Sequence, residues 1–153
     1  RCRTGQQRKP QNWYKVGDCV MNYCVIDGKS YDVIVTGIEE SFSILYTANT
    51  GRTLGIGAPM TLDPLGTFFS HKVTFKRCKK NVKEFDDLYN FLTIPRYDGF
   101  DIEIVHNQTT IKYKCYVSQG TRTLQRIVER IKKVLWGELA VNFVPIEAQV
   151  LPE

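Results

Sequence analysis

Alternation of apolar and polar residues is the main pattern along the chain from about residue 24 onward. The alternating runs cover residues 31–35, 42–46, 69–75, 100–104, 111–117 and 139–143. A period of two residues is typical of β-strands that bury one face and expose the other. Asp27-Gly28 is a strong hairpin-turn signal between Val25-Ile26 and the run that begins at Tyr31. The pattern therefore predicts antiparallel strands, the last of which ends at Pro145.

The same alternation predicts which side chains face the core. They are Phe69, His71, Val73 and Phe75 in one strand, Phe100, Ile102 and Ile104 in the next, and Ile111, Tyr113, Cys115 and Val117 in its return strand. The segment from His106 to Thr109 is then the tip of the hairpin that joins the last two.

Residues 82–92 have the spacing of a helix instead. Their apolar members form one stripe: Val82, Phe85, Leu88, Tyr89 and Leu92. Asn81 is placed to cap this helix, with Glu84 three residues later in the position of a capping box. Pro95 is expected to stop it.

The segment 121–136 fits two structures. As a helix it would align Leu124, Ile127 and Ile131 on one side and place Arg122, Arg126, Arg130 and Lys133 on the other, as in a nucleic-acid-binding helix. Its β-branched residues and the lack of a cap before Gly137 favour a hairpin that turns near residues 129–133. One helix among many antiparallel strands predicts a mainly β (α+β) domain, a sandwich or open barrel with the helix at one end.

One long connection interrupts this pattern. Thr47 to Thr67 holds four glycines and two prolines, shows no regular pattern and lies between two predicted strands. A compact domain rarely keeps so long a loop unless another molecule orders it. The loop is therefore the best indication of function within the chain.

Charge adds one feature, a basic N-terminal segment. The net charge is +5, and five bases precede the first acid, Asp18: Arg1, Arg3, Arg8, Lys9 and Lys15. Residues 1–17 are predicted to be a basic polar arm, disordered or docked on another subunit, and residues 18–153 a single domain. With Trp13, Tyr14 and Tyr116 this arm leaves a second hypothesis open, a nucleic-acid-binding module with an OB-like barrel.

The cysteines and apolar runs limit the protein class. Five cysteines without a C-x-x-C pair indicate free thiols in a reducing compartment rather than a zinc site or a disulfide framework. No apolar run is long enough to cross a membrane. The sequence predicts a soluble chain without a membrane partner.

Motifs for catalysis or cofactors are weak. His71 lies on an apolar strand face, which is typical of a satisfied core or subunit-contact histidine, and His106 lies at a hairpin tip, where exposure is expected. Gly55-Ile56-Gly57 lacks the third glycine and the βαβ unit of a dinucleotide site. Asp86 and Asp87 point about 100° apart on the helix, so they do not form an acid–base pair. The prediction is a non-enzyme without cofactor or metal.

Several segments in matching order resemble a known family. They are Gly51-Arg52-Thr53, Met60 to Asp63, the strand from His71 to Phe75, the helix, and the segment from Trp136 to Phe143. In these the chain is similar to small tail proteins of long-tailed phages and prophages of Gram-positive bacteria, related to distal-tail and tail-tube subunits. The resemblance covers about Val25 to Pro152.

The resemblance implies two packed antiparallel sheets, a flanking helix over about 82–92, and a loop at 47–67 that reaches the adjacent subunit of a ring. It implies a structural role in a tube, distal tail or baseplate ring around a DNA conduit, in the virion after assembly in the host cytoplasm. The implied partners are identical subunits, neighbouring tail proteins and passing phage DNA without sequence-specific contact. Deletion of residues 51–64 is expected to leave a folded monomer that does not assemble.

Two sets of contact residues follow from the implied ring. Those predicted for the inter-subunit loop are Thr50, Gly51, Arg52, Thr53, Leu54, Met60, Leu62, Asp63 and Leu65. Those predicted for ion pairs between subunits are Glu39, Glu40, Arg8 and Lys9.

Overall fold

A computed structural model describes residues 24–153; the predicted basic arm, with Arg8 and Lys9, lies outside the described residues. The strands are β1 (Cys24–Ile26), β2 (Val33–Tyr46), β3 (Gly51–Arg52), β4 (Met60–Thr61), β5 (Pro64–Arg77), β6 (Phe100–His106), β7 (Thr109–Val128) and β8 (Lys133–Pro145). The helix α1 spans Val82–Thr93, and a 3-10 turn at Glu129–Ile131 joins β7 to β8.

Two antiparallel sheets account for these strands. Six strands form one sheet in the order β1-β6-β7-β8-β5-β2, and β3 pairs with β4 in a separate ribbon. The predicted fold class is therefore confirmed: mainly β, with two antiparallel sheets and one flanking helix within residues 24–153. The two sheets are unequal, since the six-stranded sheet carries the core and the ribbon lies inside the long loop.

The six-stranded sheet curls. Its outermost strands, β1 and β2, are joined by a short connection whose turn at Asp27 and Gly28 has positive φ at both residues. A flat sheet of six strands would separate its edges by about 24 Å. The chain from Lys29 to Val33 can span only about 14 Å. The edges must therefore approach each other, as in an open barrel or a sandwich.

The predicted turn at Asp27-Gly28 is confirmed, because Ile26 and Lys29 exchange backbone hydrogen bonds of 3.0 and 2.9 Å across it. The expected hairpin between its flanking strands is wrong. β1 pairs with β6, and β2 pairs with β5 at the other end of the strand order. The local turn signal carries no information about which distant strand each side joins.

The inward faces of the strands meet α1 in a single core. Its largest fully buried side chains include Phe75, Phe85, Leu88, Ile102, Ile104, Leu139 and Phe143. The predicted alternation is confirmed across β5, β6, β7 and β8, although Phe69, Ile111 and Val117 are only partly buried. β8 ends at Pro145, as predicted.

Helix α1 starts at Val82 as predicted and ends one residue later than expected, before Ile94 adopts an extended conformation ahead of Pro95. Asn81 precedes the helix without capping it through its side chain, and its amide donates to Asp32 at 3.4 Å instead. The predicted side-chain cap is therefore wrong. No helix among the described residues is long and apolar enough to cross a membrane.

The ambiguous segment 121–136 is a hairpin, as predicted. β7 runs to Val128, the chain turns through Glu129–Ile131, and Lys132 adopts a left-handed conformation before β8 begins.

The cysteines depart in part from expectation. Cys24 and Cys115 are buried free thiols, and burial raises the pKa of Cys24 to about 12. Cys78 is disulfide-bonded, so the prediction of free thiols is wrong for this residue. Because disulfides are uncommon in a reducing compartment, the disulfide of Cys78 does not support the predicted reducing compartment.

Candidate functional site

Two hairpins extend beyond the part of the sheet that holds the core. β5 and β8 pair only between His71–Lys76 and Glu138–Phe143. We call residues 41–70, the outer part of the β2–β5 hairpin, arm A, and residues 123–137, the outer part of the β7–β8 hairpin, arm B. Arm A precedes the shared stretch of β5 and arm B precedes that of β8. Because β5 and β8 are antiparallel, the two arms leave opposite ends of the sheet.

Arm A continues the inward face of the sheet, and none of the described residues covers it there. Glu40, Phe42 and Ile44 alternate on one face of β2, and Glu40 lies opposite the buried His71. Phe42 is 66% exposed and Ile44 is 45% exposed. Side chains on the face that elsewhere packs in the core are thus left in solvent, which marks an interaction surface.

The outer loop of arm A has its own order. β3 and β4 form a ribbon, Thr53 N–H donates to the carbonyl of Pro59 at 2.9 Å, and the Arg52 guanidinium donates to the carbonyl of Ala58 at 3.2 Å. The long connection, whose sequence shows no regular pattern, therefore contains a short β-ribbon. The connection between β2 and β5 covers residues 47–63 rather than 47–67, because β5 begins at Pro64.

Asp63 ties the two sides of this loop together at its neck. Thr47 N–H donates to the Asp63 carbonyl at 2.9 Å, and the Thr47 hydroxyl donates to the Asp63 carboxylate at 2.5 Å. The Asp63 N–H in turn donates to the Thr50 hydroxyl at 2.8 Å. Two residues predicted to contact a neighbour, Thr50 and Asp63, thus have structural partners within their own loop.

All nine predicted loop residues belong to arm A, and those with large apolar side chains are exposed: Leu54 (106%), Met60 (48%), Leu62 (60%) and Leu65 (51%). Ile56, which the prediction omitted, is 105% exposed at the ribbon tip. The alternation of glycine with Leu54 and Ile56 is a signal that could have included it.

The C-terminal segment supports the root of arm A. Thr67 N–H donates to the Val150 carbonyl at 2.9 Å, and the Gln149 side chain pairs with the backbone of Phe69 at 3.0 and 3.3 Å. These bonds occupy the edge of β5 beyond the end of β8. Gly66 allows the close approach, since a Cβ there would lie 2.7 Å from that of Ala148.

Four polar side chains meet at the base of arm A, and we call them the histidine cluster: Glu40, His71, His106 and Tyr113. Glu40 Oε2 lies 2.8 Å from both His71 Nε2 and His106 Nδ1. His71 Nδ1 lies 2.5 Å from the Tyr113 hydroxyl. The interpretation of His71 as a satisfied core histidine is confirmed, because its exposure is 1%. His106 differs from expectation, because its side chain is only 21% exposed.

The cluster favours one arrangement of protons. An ionised carboxylate only accepts, so His71 Nε2–H and His106 Nδ1–H donate to Glu40, and Tyr113 donates to His71 Nδ1. Desolvation lowers the pKa of His71, although the hydrogen bond to Glu40 opposes this. Partial burial acts to raise the pKa of Glu40, but the hydrogen bonds from His106 and His71 outweigh it and the net shift is downward. At neutral pH the cluster therefore holds a carboxylate and a neutral His71.

The histidine cluster contains Glu40, one of the residues predicted to form ion pairs between subunits. Glu40 is engaged within its own chain by two histidines. Glu39, its exposed neighbour, lies opposite Lys72 in the β2–β5 register. Of the two glutamates, Glu39 is thus the one not bonded to the histidines, and the ion pair with another subunit stays a prediction.

Arm B carries apolar pairs and a basic tip. Leu124 lies opposite Trp136 and Ile127 opposite Val134, and Trp136 packs against the core. Ile127 is 57% exposed. The exposed bases at or near the tip are Arg126, Arg130, Lys132 and Lys133, and none makes an ion pair with the described residues.

Two arginines outside arm B anchor it, Arg122 to the helix and Arg77 to β5. The guanidinium of Arg122 lies 3.6 Å from the ring centre of Tyr89 and 4.0 Å from that of Trp136, and it pairs with Asp86 at 3.2 Å. Arg77 donates to the Trp136 carbonyl at 2.9 Å. No sequence pattern predicts the Arg122 anchor, because its partners come from separate elements.

A groove of about 340 Å³ opens between the end of α1 and the strands β6 and β7. Its lining contains Arg96, which stacks on Phe91 at 3.9 Å, but no carboxylate, imidazole or thiol. Within residues 24–153 no group of three histidine, cysteine, aspartate or glutamate side chains is arranged to bind a metal ion.

Comparison with known proteins leaves the family open. The sequence matches no protein-family model and no curated protein. Among solved structures the chain is similar to the Dit protein of SPP1, described as a paradigm of the hub adsorption apparatus in phages that infect Gram-positive bacteria. The identity is 14% and the TM-score 0.42, over 81% of this chain and 49% of that one. The chain thus spans about half the length of that protein, and a likeness at this level carries no conclusion.

Proposed function

We propose that this chain is a structural subunit of a phage tail that assembles into a ring through arm A and the open edge of β2. The observation that carries the proposal is arm A itself. Its internal hydrogen bonds hold exposed apolar residues such as Leu54 and Ile56 in solvent. The family resemblance of residues 25–152 supplies the biological setting.

The edge of the sheet supports the same proposal. β2 is the last strand in the order, so one side of its backbone in the outer part, residues 41–46, has no strand partner among the described residues. Long unpaired edges favour pairing with another chain, and pairing around a closed ring removes them. The proposed partners are identical subunits, adjacent tail proteins and DNA passing through the ring, with the subunit located in the virion.

The first test removes the outer loop and keeps its neck. Thr47 and Asp63 are already hydrogen-bonded, so replacing residues 48–62 by Asn-Gly should close the hairpin with a two-residue turn. We expect rings in negative-stain images of the wild type and a folded monomer for the variant, with the masses checked by light scattering. Rings formed by the variant would contradict the role of the loop.

A milder pair of variants tests the apolar tip. Ile56→Ser should weaken assembly, whereas Tyr97→Ser removes an equally exposed side chain outside both arms and should leave it unchanged. Equal assembly of the two variants would contradict a specific role for the apolar tip of arm A.

A nucleic-acid-binding module is the second candidate, and the basic tip of arm B favours it. Such binding would be strongly salt-dependent. Fluorescence anisotropy with a labelled oligonucleotide separates the two functions. Tight, salt-sensitive binding by a monomer, lost in an Arg126→Glu, Lys133→Glu variant, would favour the module over the tail subunit.

A further inference from the structure

The histidine cluster joins parts of the sheet that share no backbone hydrogen bonds. Glu40 is on β2 and His106 on β6, and three strands separate them in the sheet order. Their side chains nevertheless meet at 2.8 Å because the sheet curls. The rings of Phe69 on β5 and His106 also touch, with centres 4.9 Å apart. The cluster therefore links the arm A hairpin to the opposite half of the sheet.

Acid disrupts this arrangement at two of its members, His71 and Glu40. A proton on His71 must go to Nδ1, which accepts from Tyr113. The hydroxyl would then have to turn and find another acceptor in a site where Tyr113 is 8% exposed. A proton on the shared oxygen of Glu40 leaves it unable to accept from both histidines. Protonation thus replaces satisfied contacts with unsatisfied ones.

Among residues 24–153, few other charges are near enough to the cluster to compensate. The titratable groups that act on the four cluster members from the packed strands are the thiols of Cys24 on β1 and Cys115 on β7. Burial raises the pKa of both thiols, so both stay neutral. The side chain opposite His71 on β8 is Phe143, which cannot ionise.

We propose that Glu40, His71, His106 and Tyr113 form an acid-sensitive latch that holds arm A against the body of the domain at neutral pH and releases it at acidic pH. Beyond the latch, the inward side chains of arm A are exposed to solvent. Among the described residues, the other contacts that hold the root of arm A come from the C-terminal segment. Release changes the direction of the whole arm because the latch lies at its root. The latch belongs to the single chain and does not depend on the proposed function.

Hydrogen exchange measured on the full chain tests the latch. At pH 7.5 the amides of Thr67 and Phe69, which donate to Val150 and Gln149 of the C-terminal segment, should be protected, and at pH 5 their exchange, corrected for intrinsic rate, should rise about tenfold. The amides of residues 111–117 in the body should keep their protection. Equal loss in both regions would overturn the proposal, because it would indicate general unfolding.

Variants separate the latch from ordinary packing. Glu40→Gln and His106→Gln should each release arm A already at pH 7.5 and make its exchange nearly independent of pH. Glu39→Gln changes the adjacent exposed carboxylate and should behave as the wild type. The proposal fails if Glu40→Gln matches Glu39→Gln, or if His106→Gln leaves the arm protected.

The histidine signals give an independent readout. The chain has two histidines, so NMR titration of the imidazole carbons yields two curves that His106→Gln assigns. Exchange of arm A should follow the titration of the cluster. Release at a pH where neither histidine nor Glu40 changes its protonation would overturn the latch.

Discussion

Arm A and arm B both extend a core strand pair into solvent, yet they are anchored by different chemistry. Arm A is held through the histidine cluster, whose bonds depend on protonation. Arm B is held through Arg122, which stacks between two rings, and guanidinium groups do not lose their charge in proteins. The groups at the root of each hairpin, rather than its length, therefore decide whether its anchor can respond to pH.

The largest expected effect tests the anchor of arm B. Arg122→Ala removes the stacking on Tyr89 and Trp136 and the packing of the side-chain stem, and should lower the free energy of unfolding by about 2–3 kcal/mol. Urea denaturation measures this change in the free energy of unfolding. The control Arg126→Ala, on an exposed residue of the same arm, should cost less than about 0.5 kcal/mol. Similar values for the two would remove Arg122 as the anchor.

A backbone substitution tests the root of arm A. Gly66 has a φ of 144°, and a Cβ there would lie 2.9 Å from the Val150 carbonyl oxygen. Gly66→Ala should therefore destabilise the fold by about 2 kcal/mol and loosen the C-terminal segment. Gly51→Ala, in open space on the same arm, is the matched control and should be nearly neutral in thermal unfolding. A neutral Gly66→Ala would contradict the close packing of the segment.

A smaller effect should distinguish the two anchors by pH. The pKa of His71 is lowered in the fold from its usual 6.5, so below that value the unfolded chain binds more protons and stability falls. The pKa of Glu40 is also lowered, from 4.5, so its contribution is present above 4.5 and is lost as the pH falls through the folded value. Urea midpoints between pH 8 and 4 should fall on acidification.

His71→Gln should flatten this pH dependence between pH 7 and 5, because Gln does not titrate. Arg122→Ala should lower stability by a similar amount at every pH in that range. A wild type whose stability is constant from pH 7 to 4 would be incompatible with the shifts in the cluster.

The smallest effect on global stability is expected at the neck of the arm A loop. Asp63→Ala removes the acceptor of the Thr47 hydroxyl and should open the loop locally. Trypsin should then cleave after Arg52 about tenfold faster, which corresponds to about 1.4 kcal/mol of local opening, while the urea midpoint stays nearly constant. Cleavage at the wild-type rate would mean that the neck does not depend on Asp63.

Much of the fold follows from local pattern. Period-two alternation identified the inward residues of β5 to β8 because adjacent strand residues must face opposite sides, whatever the partner strand. The spacing of Val82 to Leu92 gave the helix within one residue at its end. The β-branched residues of segment 121–136 favoured the hairpin that the structure contains. The unusual length of residues 47–67 likewise predicted a functional loop in the position of arm A.

Pairings between distant segments were decided by tertiary structure. The turn at Asp27-Gly28 is local and was predictable, but the pairing of β1 with β6 depends on the curl of the whole sheet. Glu40 and His106 are 66 positions apart and meet through that curl. The long strands, the helix and the exposed arm were predictable from the sequence because they follow from neighbouring residues. The anchors of both arms were not, since each requires side chains from separate elements to converge in the folded chain.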